Sequence, residues 1–239
     1  MALGPFYVAE KLTQSGGIRG VALLMRHGET PWNREGRVMG KSPIELDEEG
    51  RRQVESAIPL ARILAPNLIV SSPLARARQS AEIIGHGVGI PEIVEDPRLS
   101  EVEYGRWEGM VYDDLLRDAH YIHYRERPLD EPTPGGETMY DVQARGVDAV
   151  RHTIAANRGK RVLFVSHGDI IRTVLCHFMR LGLENFRRIR IDNATFFGIQ
   201  IAGEFAEIKF LNLTSDPARV FQSPFRTKAN SSSSTSQAP

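Results

Sequence analysis

The chain has 239 residues, 41% of them apolar and 25% charged, which is enough to bury the core of one large α/β domain and ordinary for a soluble globular protein. Its 30 basic and 30 acidic side chains balance, so no overall field draws it to nucleic acid or to an anionic membrane. Cys176 is the single cysteine, which excludes an intramolecular disulfide framework and a cysteine-clustered zinc site.

No apolar stretch approaches the length of a membrane span, and the opening residues lack the basic and then apolar pattern of a secretory signal. A cytoplasmic protein is expected. Residues 1–20 read as a loose N-terminal arm, 21–222 as one domain and 223–239 as a disordered serine-rich tail, since Asn230 is followed by four serines and little that could be buried.

In chain order, the first strand is expected over residues 21–25 and ends in Arg26-His27-Gly28. Asp47 opens an amphipathic helix carrying Val54, Ala57, Ile58, Ala61 and Leu64, which Pro59 should kink or interrupt. A short strand over 67–70 precedes Ser72, read as the cap of a helix with Pro73 at its first position, Leu74, Ala77, Ala81 and Ile84 facing inward, and Gly85 as its stop.

A third strand surrounds Ile93 and Val94, and its exposed edge offers a place for a second copy in a homodimer. Residues 111–136 hold one short helix and then a proline-bearing loop through Pro128, Pro132 and Pro134, an insertion placed to cover a site. A helix over 137–157, a strand over 162–165 ending in Ser166-His167-Gly168, and a helix through Ile171, Val174, Leu175 and Phe178 follow. Strands near 188–191, 196–201 and 208–211 close the domain. The alternation predicts a three-layer α/β/α sandwich around a mainly parallel central sheet.

Open sheets of this kind bind ligands beyond the carboxyl ends of their strands. Two strands there deliver His27 and His167, each followed by glycine, with Arg26 beside one of them and Arg76 in the first turn of the helix after the second strand. Taken singly, each histidine reads as structural and each arginine as a salt-bridge partner; taken together they suit phosphoryl transfer. The remaining histidines follow no metal-ligand pattern: His152 and His177 fit ordinary helix positions, and His120 and His123, with Arg125 and Arg127, fit a solvated charged face.

Five motifs in order make the chain similar to the histidine phosphatase superfamily, the phosphoglycerate mutase-like family, over about residues 21–213. They are Arg26-His27-Gly28-Glu29-Thr30 with Trp32-Asn33; Ser72-Pro73-Leu74-Ala75-Arg76-Ala77; Glu101 with Tyr104-Gly105-Arg106-Trp107-Glu108-Gly109; Pro134-Gly135-Gly136-Glu137; and Ser166-His167-Gly168. The resemblance implies a phosphoglycerate mutase-like fold and a small phosphorylated metabolite as substrate, with neither cofactor nor metal.

It also implies roles. His27 takes the phosphoryl group on a ring nitrogen, its other ring N–H fixed by a backbone carbonyl. Arg26, Arg76 and Asn33 bind the phosphate, with guanidinium matching phosphate geometry; Asn33 alternatively holds the loop after Trp32. His167 acts as a charged donor in the transition state. Glu101 protonates the leaving oxygen and then takes a proton from water, although Glu103 and Glu108 lie near it in sequence.

The phosphatase branch is expected because residues 111–134 are compact, where mutases carry a longer basic segment; a phosphoglycerate mutase is the alternative. A metallohydrolase built on the two histidines is disfavoured by the flanking guanidinium charges, and a scaffold without chemistry by the intact His27, Arg76, Glu101 and His167 set.

Overall fold

The computed structural model describes residues 18–216. The serine tail, most of the N-terminal arm and the expected domain end at 222 lie outside the described residues. The last two residues expected in the arm, Arg19 and Gly20, belong instead to strand β1 (Arg19–Arg26), where they pair with Ala202 and Ile201.

Six strands form one sheet in the order β3 (Ile93–Glu95), β2 (Leu68–Ser71), β4 (Arg161–Ser166), β1, β5 (Phe196–Ala202) and β6 (Phe205–Leu213). The first four run parallel; β5 is antiparallel to β1, and β6 to β5. Ala22 to Met25 and Val162 to Val165 are all at most 2% exposed, the burial on both faces that an unbroken apolar run signals.

Alternation splits those residues between two cores. Ala22, Leu24, Val162 and Phe164 pack on Val142, Val150 and Ile154 of α6 (Met139–Ala156) and Ile171 and Val174 of α7 (Gly168–Met179). Leu23, Met25, Leu163 and Val165 pack on Val54, Ala57 and Ala61 of α2 (Glu48–Leu64) and Ala77, Ala81 and Ile84 of α3 (Ala75–Val88). The result is the three-layer sandwich with a mainly parallel sheet. Among the described residues no helix is long and apolar enough to cross a membrane.

Caps mark the helix starts. Thr30 and Asn33 form a capping box on α1 (Pro31–Glu35), Asp47 accepts the Gly50 N–H at 2.7 Å on α2, and Thr138 and Asp141 cap α6.

Five local expectations need correction. Pro59 does not interrupt α2, which continues to Leu64 with Pro59 and Glu55, the residue a turn before it, both exposed. Ser72 is not the cap of α3, which starts at Ala75 after Leu74; nor does Gly85 end it, since the helix runs to Val88 and is capped by Gly89, in the left-handed region at φ 80°. Gly85 is instead buried in the helix, where a Cβ would lie 2.4 Å from the Ile90 carbonyl oxygen.

The insertion holds two short helices, α4 (Tyr112–Leu115) and α5 (Ala119–Glu126), because Leu115 and Tyr124 both reach the core beside Trp107. Residues 188–191 form no strand. Leu183–Arg188 is a 3-10 helix, and the Ile189 and Ile191 carbonyls accept hydrogen bonds from Arg172 and Arg26 rather than from a neighbouring strand.

Candidate active site

Sheet register places the site. Met25 is level with Val165, and Arg26 with Ser166, while Ser71 of β2 is also level with Val165. The next residues, His27, Ser72 and His167, therefore leave three adjacent strands at one edge of the sheet. The His27 N–H bonds the Ser166 carbonyl at 3.1 Å, and the Ser72 N–H bonds the Val165 carbonyl at 3.0 Å. The His27 and His167 ring centres are 5.2 Å apart.

His27 is 1% exposed and its Nδ1 lies 2.6 Å from the Gly28 carbonyl oxygen. An oxygen there needs a proton on Nδ1, so the neutral ring keeps its lone pair on Nε2. Gly28 is itself fixed: its N–H bonds Ser80 Oγ at 3.1 Å, and a Cβ would lie 2.4 Å from the Gly50 carbonyl oxygen. Asn193 Nδ2 donates to the His27 carbonyl at 3.0 Å. Burial, then the charges of Arg76 and Arg26, hold the His27 pKa well below its ordinary 6.5, so the ring is neutral.

Arg26 and Arg76 are both committed to the backbone at one end. Arg26 Nη1 donates to the Ile191 carbonyl at 2.8 Å; Arg76 Nη2 and Nη1 donate to the Gly40 and Ser42 carbonyls at 2.7 and 3.1 Å. Arg76 is fully buried, which pushes its pKa down to about 10.

His167 Nε2 lies 2.8 Å from Ser72 Oγ, and the Leu74 N–H also bonds that oxygen. With Leu74 donating to it, the serine hydroxyl can give its own proton to Nε2, leaving the His167 proton on Nδ1.

Arg26 Nε, Arg76 Nε and His167 Nδ1 are buried without a protein partner. An unmatched buried polar group costs on the order of 1–3 kcal/mol. Three of them, two on guanidinium groups whose charge acts on His27, fit an anion offering several acceptor oxygens.

Glu101, 9% exposed, follows the 3-10 turn Pro97–Leu99. Its Oε1 accepts the Val102 N–H at 3.1 Å and its Oε2 the Asp169 N–H at 3.4 Å. Arg145 binds the Ser100 and Glu101 carbonyls and so holds this segment to α6. Burial, then the charge of Asp169, raises the Glu101 pKa above its ordinary 4.5, against the pull of the Val102 N–H and Arg76. Glu103 faces Lys41 with a half-exposed side chain and a lowered pKa, from the hydrogen bond and charge of that lysine. Glu108 accepts from the Lys41 and Tyr104 N–H groups and from the Ser42 hydroxyl, and so ties down the loop that meets Arg76.

The structure thus brings His27, Arg26, Arg76, Glu101 and His167 together. His167 differs from expectation in its charge: burial, Arg76, His27 and Arg26 hold its pKa well below 6.5, so it is a neutral donor in the free protein. Asn33 serves the α1 cap, its Oδ1 accepting from the Thr30 N–H and hydroxyl at 3.1 Å each and from Asn193 Nδ2 at 3.4 Å. Only its Nδ2 remains for a ligand.

Sequence reasoning missed Ser72 as the partner of His167, Asn193 behind His27, and the Asp169–Arg172–Tyr104 group beside Glu101. Asp169 in the first turn of a helix reads as a favourable dipole contact and carries no signal of a carboxyl 68 positions earlier. A groove of about 630 Å³ along Val94, Asp96, Arg98 and His152 includes none of the candidates.

The profile described as "Histidine phosphatase superfamily (branch 1)" matches residues 22–214. The chain is 34% identical over 176 residues to the "Probable phosphoglycerate mutase GpmB" of Cronobacter sakazakii, covering 72% of this chain and 80% of that protein. It is 32% identical over 192 residues to the "Uncharacterized phosphatase PhoE" of Bacillus subtilis, covering 80% and 94% respectively. The solved mycobacterial glucosyl-3-phosphoglycerate phosphatase in complex with VO3 superposes with a TM-score of 0.73 at 28% identity, covering 82% of this chain and 100% of that one.

Proposed function

The chain belongs to branch 1 of the histidine phosphatase superfamily, and from that membership we propose that it is a metal-independent phosphatase. It hydrolyses the phosphate monoester of a small metabolite through a phosphohistidine on His27. The observation that carries this is a neutral His27, its Nδ1 tied to Gly28 and its Nε2 free to attack, among buried guanidinium and imidazole donors without protein partners.

In the first step the Nε2 lone pair forms the N–P bond as the ester P–O bond breaks. Glu101, protonated through its raised pKa, gives its proton to the departing alkoxide. Arg26 and Arg76 bind the non-bridging oxygens, and His167 donates to the same group; the phosphate dianion offsets the arginine charges that depress His167 and so raises its affinity for a proton. In the second step water attacks phosphorus and gives a proton to the Glu101 carboxylate, while the N–P electron pair returns to Nε2. Phosphate leaves and Glu101 is again protonated.

The similarity to proteins named phosphoglycerate mutase supports a second reading on the same chemistry. A mutase must retain its dephosphorylated intermediate, with binding energy from contacts remote from phosphorus. In the 111–136 insertion two of the arginines pair with acids of the same segment, Arg117 with Asp114 and Arg127 with Asp130, all on exposed side chains. That favours hydrolysis.

The deciding experiment supplies 3-phosphoglycerate with a bisphosphoglycerate primer and follows 2-phosphoglycerate and free phosphate, beside a panel of phosphomonoesters. Phosphate release should dominate; isomerisation outpacing it, with primer acting catalytically, would make the protein a mutase.

A further inference from the structure

Asp169, Tyr104 and Arg172 form a built cluster beside Glu101 that the phosphoryl-transfer steps above leave without a task. Asp169 is the second residue of α7, and its N–H reaches Glu101 Oε2 at 3.4 Å. Its own carboxylate cannot turn away: Oδ2 accepts the Tyr104 hydroxyl at 2.6 Å and Oδ1 accepts Arg172 Nη1 at 2.7 Å. Arg172 is in turn anchored by its Nε on the Ile189 carbonyl at 3.0 Å. Both side chains of the ion pair are largely enclosed, at 19% and 26% exposure, so solvent screens them weakly.

We propose that Asp169 is the positioning residue of the acid: clamped as a carboxylate by Tyr104 and Arg172, it holds Glu101 by its N–H and keeps the Glu101 proton in place by like-charge repulsion. This rests on the reading of Glu101 as the proton donor. Two carboxyl groups in one poorly solvated site cannot both ionise cheaply, and the one with donors on both oxygens keeps the charge. Asp169 is that one. Burial works against its ionisation, but the Arg172 charge and the Tyr104 hydroxyl outweigh burial and lower its pKa.

The charged groups facing Glu101 are few and fall on both sides of the balance. Arg76 on α3 and Arg26 on β1 favour its ionised form, as does Arg172 on α7; the Asp169 carboxylate opposes it, against the smaller pull of the Asp169 N–H. Arg145 on α6 reaches Glu101 at its backbone carbonyl and not at its carboxyl, and Glu103 faces Lys41. Tyr104 stays protonated, its pKa raised well above 10 by burial and then by Asp169, and so remains a donor to Asp169.

The inference gives two variants opposite signs. Asp169→Asn removes the repelling charge and leaves Arg172 unpaired near Glu101, so Glu101 loses its proton at lower pH. Arg172→Gln removes a cation from the same cluster, so Glu101 holds its proton to higher pH. A merely structural cluster would not give opposite shifts.

The test is a ¹³C NMR titration of the side-chain carboxyls, with the Glu101 resonance assigned by its loss in Glu101→Gln. The pH dependence of kcat/KM is measured on phenyl phosphate and on 4-nitrophenyl phosphate with the same proteins. The expected result is a Glu101 midpoint displaced down in Asp169→Asn and up in Arg172→Gln, with the alkaline limb on phenyl phosphate following each and the limb on 4-nitrophenyl phosphate moving less.

A midpoint that stays in place in Asp169→Asn overturns the inference. If that variant does not fold, Arg172→Gln decides, and an unmoved or lowered midpoint there overturns it. Should the midpoints move while the phenyl phosphate limb does not, or should Glu101→Gln keep that limb, the reading of Glu101 as proton donor falls instead.

Discussion

Acidification should unfold this protein through the two buried histidines of the candidate site, His27 and His167. Both are buried and both have pKa values held well below 6.5, chiefly by burial and by the charge of Arg76. The folded chain therefore binds fewer protons at these sites than the unfolded chain. Their contribution is complete above pH 6.5 and is lost as pH falls from there toward the folded-state values.

Each proton taken up only on unfolding changes stability by about 1.4 kcal/mol per pH unit, so the two histidines together give a slope of up to about 2.7. Glu101 acts with the opposite sign, because its folded-state pKa is raised above 4.5 and the folded chain keeps a proton that the unfolded chain releases. It offsets up to about 1.4 kcal/mol per pH unit between 4.5 and its folded value.

The assay is urea unfolding at a series of pH values between about 5 and 7.5, in buffers free of phosphate, for the wild type and for the double variant His27→Gln/His167→Gln. The difference between the two slopes should be about 1.4 kcal/mol per pH unit at pH 6.5 and approach about 2.7 about one pH unit lower, and Glu101→Gln should steepen the wild-type curve. Parallel curves for the wild type and the double variant would refute the assignment of both rings as neutral and buried.

Ser72→Ala should cost about 1–3 kcal/mol in thermal or urea unfolding, since it strips the partner 2.8 Å from His167 Nε2 in a fully buried site; a silent substitution would show that the bond does not hold the ring. Gly28→Ala should destabilise by about 1–3 kcal/mol and abolish phosphate release, because its Cβ meets the Gly50 carbonyl at 2.4 Å and Val54 at 2.9 Å and displaces the carbonyl that orients His27. Exhaustive chelation should leave the rate of phosphate release unchanged, because Arg26 and Arg76 already supply the positive charge that magnesium gives other phosphotransferases; recovery of a lost rate by added zinc or magnesium would contradict that.

Much of the sheet was legible because its central strands are buried on both sides. The runs ending at Met25 and at Val165 are continuously apolar for that reason, and the residues that follow them must emerge at one edge. Three of the five ordered motifs contain His27, Ser72 and His167, the residues that the register gathers.

What was not legible depends on contacts distant in sequence. Ile189-Arg190-Ile191 alternates like a strand, yet Arg172 and Arg26 take its carbonyls, and neither donor can be foreseen locally. Ser72 looks like a helix cap because Pro73 follows it, but its hydroxyl also serves His167, 95 residues on. Choosing Glu101 over Glu103 rested on the motif; the physical distinction, burial beside Asp169 against half-exposure beside Lys41, emerges only when α7 packs against the loop. The neutral state of His167 has the same origin, since it is set first by burial and then by charges that come from α3 and β1.

The central claim is a covalent phosphoryl group on His27, and rapid quench with a turned-over phosphomonoester tests it most directly. Phosphohistidine is labile in acid and survives base, so label should be trapped in base, be lost in acid, map to the peptide containing His27, and vanish in His27→Ala. Label that persists in that variant, or that survives acid, would contradict the account.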